Sequence, residues 1–246
     1  MKKRLLVLGL AFTMLAATAC GTTSDDGNKT SKAGKTVTAT SNSDKTSETQ
    51  KDDDKKDDAK ESYKSADDIT MDDLKNHEET PAEDFKYRDK SNGETVIKEY
   101  IGDDPIVVIP NEIDGKKVVD FGKIFTNNKD IVAVRVGDNV ENIKEGAFGN
   151  CDNLKYIILG KNVKVFEHGN VGGKKFEQLE LNDGLEQLGE EGTSGAVIIL
   201  NKDKVEVKIP ESVNHMAFTG AKTLIVKAGS YAESFAKEHN MDYRVE

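Results

Sequence analysis

Ile131-Val132-Ala133-Val134-Arg135-Val136 returns as Leu154-Lys155-Tyr156-Ile157-Ile158-Leu159 and again as Phe176-Glu177-Gln178-Leu179-Glu180-Leu181, at steps of 23 and 22 residues. The same steps carry Val140 to Val163 to Leu185, and Ile143 to Phe166 to Leu188, with Asn139 and Asn162 in the turn before the first of these series. Self-similarity over whole units at a period of this size is the signature of a repeat architecture. Each unit supplies a short strand with alternating apolar residues, a turn with Gly or Asn, and a return segment whose apolar residues close the core. One unit alone leaves its apolar edge open. Stacked copies cover that edge, with strands roughly 4.8 Å apart in a parallel sheet, so the chain is read as a solenoid.

The spacing L-x-x-L-x-L-x-x-N resembles leucine-rich repeats, and more narrowly the BspA-type repeats of bacterial surface proteins. The resemblance rests on Ile109-Pro110-Asn111-Glu112-Ile113-Asp114-Gly115-Lys116-Lys117-Val118 and on the run from Asn139 through Ala147-Phe148 and Cys151 to Leu154. It extends over about Phe85 to Glu246, with departures. Val165-Phe166-Glu167-His168 lacks the Ala-Phe pair, and Gly192-Thr193-Ser194-Gly195 replaces it. Between Val197 and Pro210 the register is open: Val197–Leu200 and Val205–Ile209 flank the turn Asn201–Lys204 as either a hairpin or two solenoid strands. The pattern returns at Ile209-Pro210-Glu211-Ser212-Val213 and Ala217-Phe218. The resemblance implies adhesion to host matrix proteins or other cells.

A stack needs polar caps. Ser230 and Glu233 are spaced as a capping box, and Tyr231, Ala232, Phe235 and Ala236 share one face, which predicts a short helix to about His239 that Asn240 ends. At the other end, Asp84–Tyr87 and Glu94–Tyr100 predict a covering hairpin, and Thr70–Asn76 a short helix. The fold class is α+β, mostly β solenoid: a short leucine-rich-repeat stack with parallel strands, an N-terminal hairpin cap and a C-terminal helix cap, preceded by a disordered tether. The expected division is a lipoprotein signal peptide at 1–19, a lipidated cysteine and tether at 20–65, a capping segment at 66–104, repeats at 105–228 and a terminal cap at 229–246.

Lys2, Lys3 and Arg4 followed by the apolar run Leu5–Ala17 read as a secretory signal. The run is shorter than the roughly 20 residues a membrane span requires. Ala17-Thr18-Ala19-Cys20-Gly21 resembles a bacterial lipobox, which implies cleavage before Cys20 and diacylglycerol on its thiol; the alternatives are plain secretion with cleavage after Ala19 and an uncleaved anchor. From Gly21 to about Ser65 the chain is rich in Thr, Ser, Lys and Asp and too poor in apolar residues to offset ordering entropy. A tether of that length has a root-mean-square reach of roughly 40 Å. The formal net charge is −10, most of it after the tether, and an acidic domain repels a phosphate backbone, so nucleic acid is not an expected partner. With Cys20 acylated, Cys151 has no partner in the chain and reads as a buried structural thiol.

Sites of chemistry fail their own geometry. Gly172-Gly173-Lys174-Lys175 has His168 where a phosphate loop needs its first glycine, and Lys175 where it needs Ser or Thr. Ser194 lacks the glycine two residues on that a nucleophile elbow requires. His77, His168, His215 and His239 show no metal-ligand spacing. No catalytic residue, metal or cofactor is assigned. The repeats instead present an extended face, on which Arg135, Tyr156, Ile158 and Gln178 form the candidate contact patch, since aromatic and arginine side chains anchor interfaces. The competing reading is that a neighbouring loop covers these residues or that they are scattered surface apolars. The expected partner is a host matrix protein, another cell-surface protein or wall polymer, with membrane contact only through the N-terminal lipid. A structural envelope role without an external ligand is the alternative.

Overall fold

The structure, a computed structural model, describes residues 65–190 and 195–246. The signal, Cys20, the tether up to residue 64 and Gly192-Thr193-Ser194 lie outside the described residues. The described chain opens with a 3-10 turn (Ala66–Asp68), helix α1 (Met71–Asn76) and a second 3-10 turn (Ala82–Asp84). Strands β1 (Phe85–Asp89), β2 (Thr95–Tyr100), β3 (Ile106–Val108), β4 (Glu112–Ile113), β5 (Lys116–Phe121) and β6 (Ala133–Arg135) follow. The middle of the stack holds β7 (Asn142–Ile143), β8 (Tyr156–Ile158), β9 (Val165–Phe166), β10 (Gly169–Val171), β11 (Gln178–Glu180) and β12 (Gln187–Leu188). The remainder is β13 (Val197–Ile199), β14 (Glu206–Lys208), β15 (His215–Met216), β16 (Phe218–Thr219), β17 (Thr223–Val226), helix α2 (Tyr231–Glu238) and β18 (Tyr243–Val245).

The sequence repeat becomes strand register. In a front ladder, β3-β6-β8-β11, Val134 lies opposite Ile157 and Ile157 opposite Leu179, all parallel. In a rear ladder running from β5 through β7, β9 and β12 to β15, Ile143 lies opposite Phe166 and Phe166 opposite Leu188. A short third ladder joins β10, β13 and β16. Together these make a parallel-strand solenoid of about six turns. The hairpin expected near Asp84–Tyr100 is β1–β2, antiparallel, and it continues the rear ladder beyond β5.

The apolar side chains of the front and rear ladders meet in one continuous core. Aromatic rings pass along it from turn to turn: Phe85 to Tyr100 at 5.5 Å between centroids, Tyr100 to Phe125 at 5.8 Å, and Phe148 at 5.9 Å from both Phe125 and Phe166. Such pairs add about 0.5–1.5 kcal/mol each beyond their buried area. The turns stack as tightly as the core. A Cβ on Gly160 would lie 2.2 Å from the carbonyl oxygen of Gly137 one turn back, so only glycine fits there. Asparagine side chains satisfy carbonyls on the preceding turn: Asn139 Nδ2 donates to Asn111 O at 3.1 Å, and Asn182 Nδ2 to Lys161 O and Val163 O, both at 3.0 Å.

At the C-terminal end, Ser230 Oγ accepts from the Glu233 amide at 3.2 Å and starts α2 as the sequence suggests. The Glu233 carboxylate reaches the amide of Gly229 at 2.7 Å. Ala232, Phe235 and Ala236 are buried, whereas Tyr231 is exposed and stands off the packed face. Asn240 takes the left-handed conformation, φ +53°, that ends the helix. Val197–Ile209 is not a hairpin. β13 joins the short ladder, and β14 starts a second front ladder, β14-β17-β18, which does not pair with β11.

Candidate binding face

The face in question is the outer surface of the front ladders, where every second strand residue points away from the core. Its first half is covered by the chain itself. Residues 65–80 lie across β3, β6 and β8, and Ile69 and Leu74, both fully buried, pack on Ile106, Val132, Ala133 and Tyr156, with Ala66, Met71 and Ile158 at the margin. This cluster is separate from the main core.

Polar contacts hold the segment in place. The Lys155 ammonium, buried with its side chain, donates to Ile69 O at 2.9 Å and Asp67 O at 3.4 Å, and stands 4.0 Å from Glu177. Arg135 Nη2 donates to His77 O. Thr80 pairs with the free edge of β3: its amide donates to Val108 O at 3.0 Å, and its hydroxyl accepts from the Val108 amide at 2.9 Å. Exposed ion pairs join Lys75 to Glu180 at 3.0 Å and Lys175 to Asp67 at 3.1 Å.

The four residues singled out from the sequence therefore fall in unlike places. Tyr156 is only 8% exposed, and its hydroxyl donates to Glu177 at 2.8 Å. Burial, and then the Glu177 carboxylate, push its phenol up to about 12. Arg135 and Ile158 are half-buried at the margin of the covering segment. Gln178 lies outside it, half-buried, with Nε2 donating to Glu180 at 2.9 Å. The exposed patch expected around Tyr156 is thus a covered one. The residues missed are Ile69 and Leu74, and the only signal for them was two large aliphatics in an otherwise acidic stretch.

The second half of the face is open. Where β11 and β14 fail to pair, a groove of about 510 Å³ runs between them, lined by Gln178, Glu180, Leu181, Lys204, Glu206 and Lys208. Lys208 is paired at its far side with Glu246, and Glu206 with Arg244 at 3.1 Å. The half-buried Leu181 and Ile225 put apolar surface among charges of both signs. Such a surface suits a polypeptide better than a single-sign polymer. Among the described residues, no group of His, Cys, Asp or Glu could hold a metal ion, and no helix is long and apolar enough to cross a membrane.

No protein-family model and no curated protein matches the chain. Among solved structures it is similar to a leucine-rich repeat protein of T. pallidum, at 24% identity over 60% of this chain and 71% of that one, with a TM-score of 0.50. It is also similar to a leucine-rich repeat protein of Bacteroides capillosus, at 18% identity over 61% and 98% with a TM-score of 0.38. A leucine-rich cell surface protein of Faecalibacterium prausnitzii follows, at 16% identity over 60% and 54% with a TM-score of 0.36. With the likeness to the first of these, the parallel ladders of the described residues have the fold of a leucine-rich-repeat solenoid.

Proposed function

We propose that this chain is a non-enzymatic, extracytoplasmic lipoprotein of the BspA type, anchored through Cys20, whose solenoid binds a protein on the open half of its front face. The observation that carries the reading is the groove between β11 and β14, where main-chain edges, Leu181 and Ile225, and charges of both signs lie together. Repeat stacks use extended faces of this kind to hold large partners. The basic N-terminal residues followed by an apolar run and Cys20 support export and lipidation, and a lipidated N-terminus with more than one acyl chain holds stably to a membrane. Adhesion to a host matrix protein or another cell is the role this arrangement serves.

The test is protease shaving of intact cells, with mass spectrometry of the released peptides and of the retained N-terminal fragment. Release of peptides from 85–246, with a retained fragment that begins at acylated Cys20, supports a tethered surface domain. Protection of the domain until the envelope is breached overturns adhesion and favours an internal structural role. If shaving supports display, Glu180→Lys with Lys208→Glu in the groove is expected to abolish adhesion while leaving the fold intact.

A further inference from the structure

We propose that the outer face of β3, β6 and β8 is a second, latent peptide-binding surface, which the chain occupies with its own residues 65–80 and yields to a partner peptide of the same chemistry. The inference does not depend on how the chain is anchored or on what the open groove binds.

The seated segment shows what the surface recognises. Two aliphatic side chains five residues apart, Ile69 and Leu74, fill the apolar floor of Ile106, Val132, Ala133 and Tyr156. Main-chain carbonyls at Asp67 and Ile69 take the Lys155 ammonium, and an acidic side chain at the same end takes Lys175. The last residue, Thr80, adds one main-chain hydrogen bond to Val108 O at the edge of β3, and its hydroxyl accepts from the Val108 amide. A ligand of this surface is therefore a short peptide with an acidic residue, two aliphatics at that spacing and an extended tail. Aliphatic anchors combined with strand addition are a known mode of peptide capture.

Three observations make the occupant removable. Its apolar contacts form a cluster of their own on the far side of the ladder from the main core. The ladder hydrogen bonds from β3 to β11 run strand to strand and are complete without it. Helix α1 has six residues, well short of the about 12–15 at which an isolated helix becomes even marginal. The segment is thus helical only while docked, and release converts it to coil. Uncovered, the floor becomes a contiguous apolar patch of the kind that marks an interaction site.

The test uses the full chain. Ile69→Asp with Leu74→Asp frees the face, and a fluorescein-labelled synthetic peptide of residues 64–81 is titrated by anisotropy. The expected result is saturable binding at least tenfold tighter than to the unaltered chain, lost when Val132→Asp is added. A folded double variant that does not bind the peptide, or binds it equally with Val132→Asp, overturns the proposal. Should the double variant not fold, native-state hydrogen exchange of the unaltered chain decides. Exchange of the Leu74 amide at least a hundredfold faster than those of Val134 and Ile157 sustains a separately opening segment, and equal protection overturns it.

Discussion

At Phe148 the economy of the stack is visible in one side chain. Its ring is fully buried and meets Phe121 and Phe125 of the turn before and Phe166 of the turn after. Removing it leaves a void that Phe121 and Phe166 cannot move to fill, because both are held in the rear ladder. Phe148→Ala is expected to cost about 3–5 kcal/mol, and Leu159→Ala about 2–5 kcal/mol, by urea denaturation; changes within about 0.5 kcal/mol would mean that these side chains are not in the core. Cys151 shows a second effect of the same burial. Its Sγ donates to Phe125 O at 3.0 Å, and burial pushes the thiol up to about 12. The folded state thus keeps the proton, and the stability this contributes is fully present below the thiol's ordinary value and is lost as pH rises toward about 12. At pH 8 a thiol reagent is expected to label Cys151 only as fast as the chain unfolds, while fast labelling under native conditions would contradict the packing.

Among the elements, α1 is the one that ties local sequence to distant structure. Thr70 and Asp73 cap it reciprocally: Thr70 Oγ1 accepts from the Asp73 amide, and the Asp73 carboxylate accepts from the Thr70 amide at 2.7 Å. The Thr70 hydroxyl, donating to the Asp73 carboxylate at 2.6 Å, and then the Thr70 amide hold the Asp73 carboxyl below its ordinary value of 3.8, with His77 adding to the effect. The folded value lies under the unfolded one, so the cap is intact above the ordinary value and is lost as pH falls through the folded one. Protection of the Leu74 amide, corrected for intrinsic exchange, is expected to fall as pH drops below the carboxyl's ordinary value of 3.8, before that of Ile157 does. A simultaneous loss would show that the cap does not control docking.

The same element marks where sequence reading stops. The helix itself is legible, since Thr70 and Asp73 stand three residues apart. So are the ladders, because Val134, Ile157 and Leu179 recur at steps of 23 and 22 residues, a period that marks stacked repeats. Docking of α1 is not legible, since its partners, Lys155 for Ile69 and Glu180 for Lys75, are 86 and 105 residues away and no periodicity encodes them. The pairing of β13 and β14 was left open for another reason. Both read as strands, but they serve different ladders, and an apolar strand pattern says which residues are buried without saying beside whom.

For the molecule as a whole, the open groove was illegible for that same reason, because it exists only where two front ladders fail to meet. In a linear stack, stability is close to a sum of the terms within each repeat and between neighbours. The rear ladder crosses this point unbroken, with Phe166 opposite Leu188 and Leu188 opposite Met216, while the front has no pairing between β11 and β14. The solenoid is therefore bound along its rear and short third ladders and open along the front at this junction. Anything wedged between β11 and β14 would set the curvature of the stack, and tension along the chain would in turn set how tightly it is gripped.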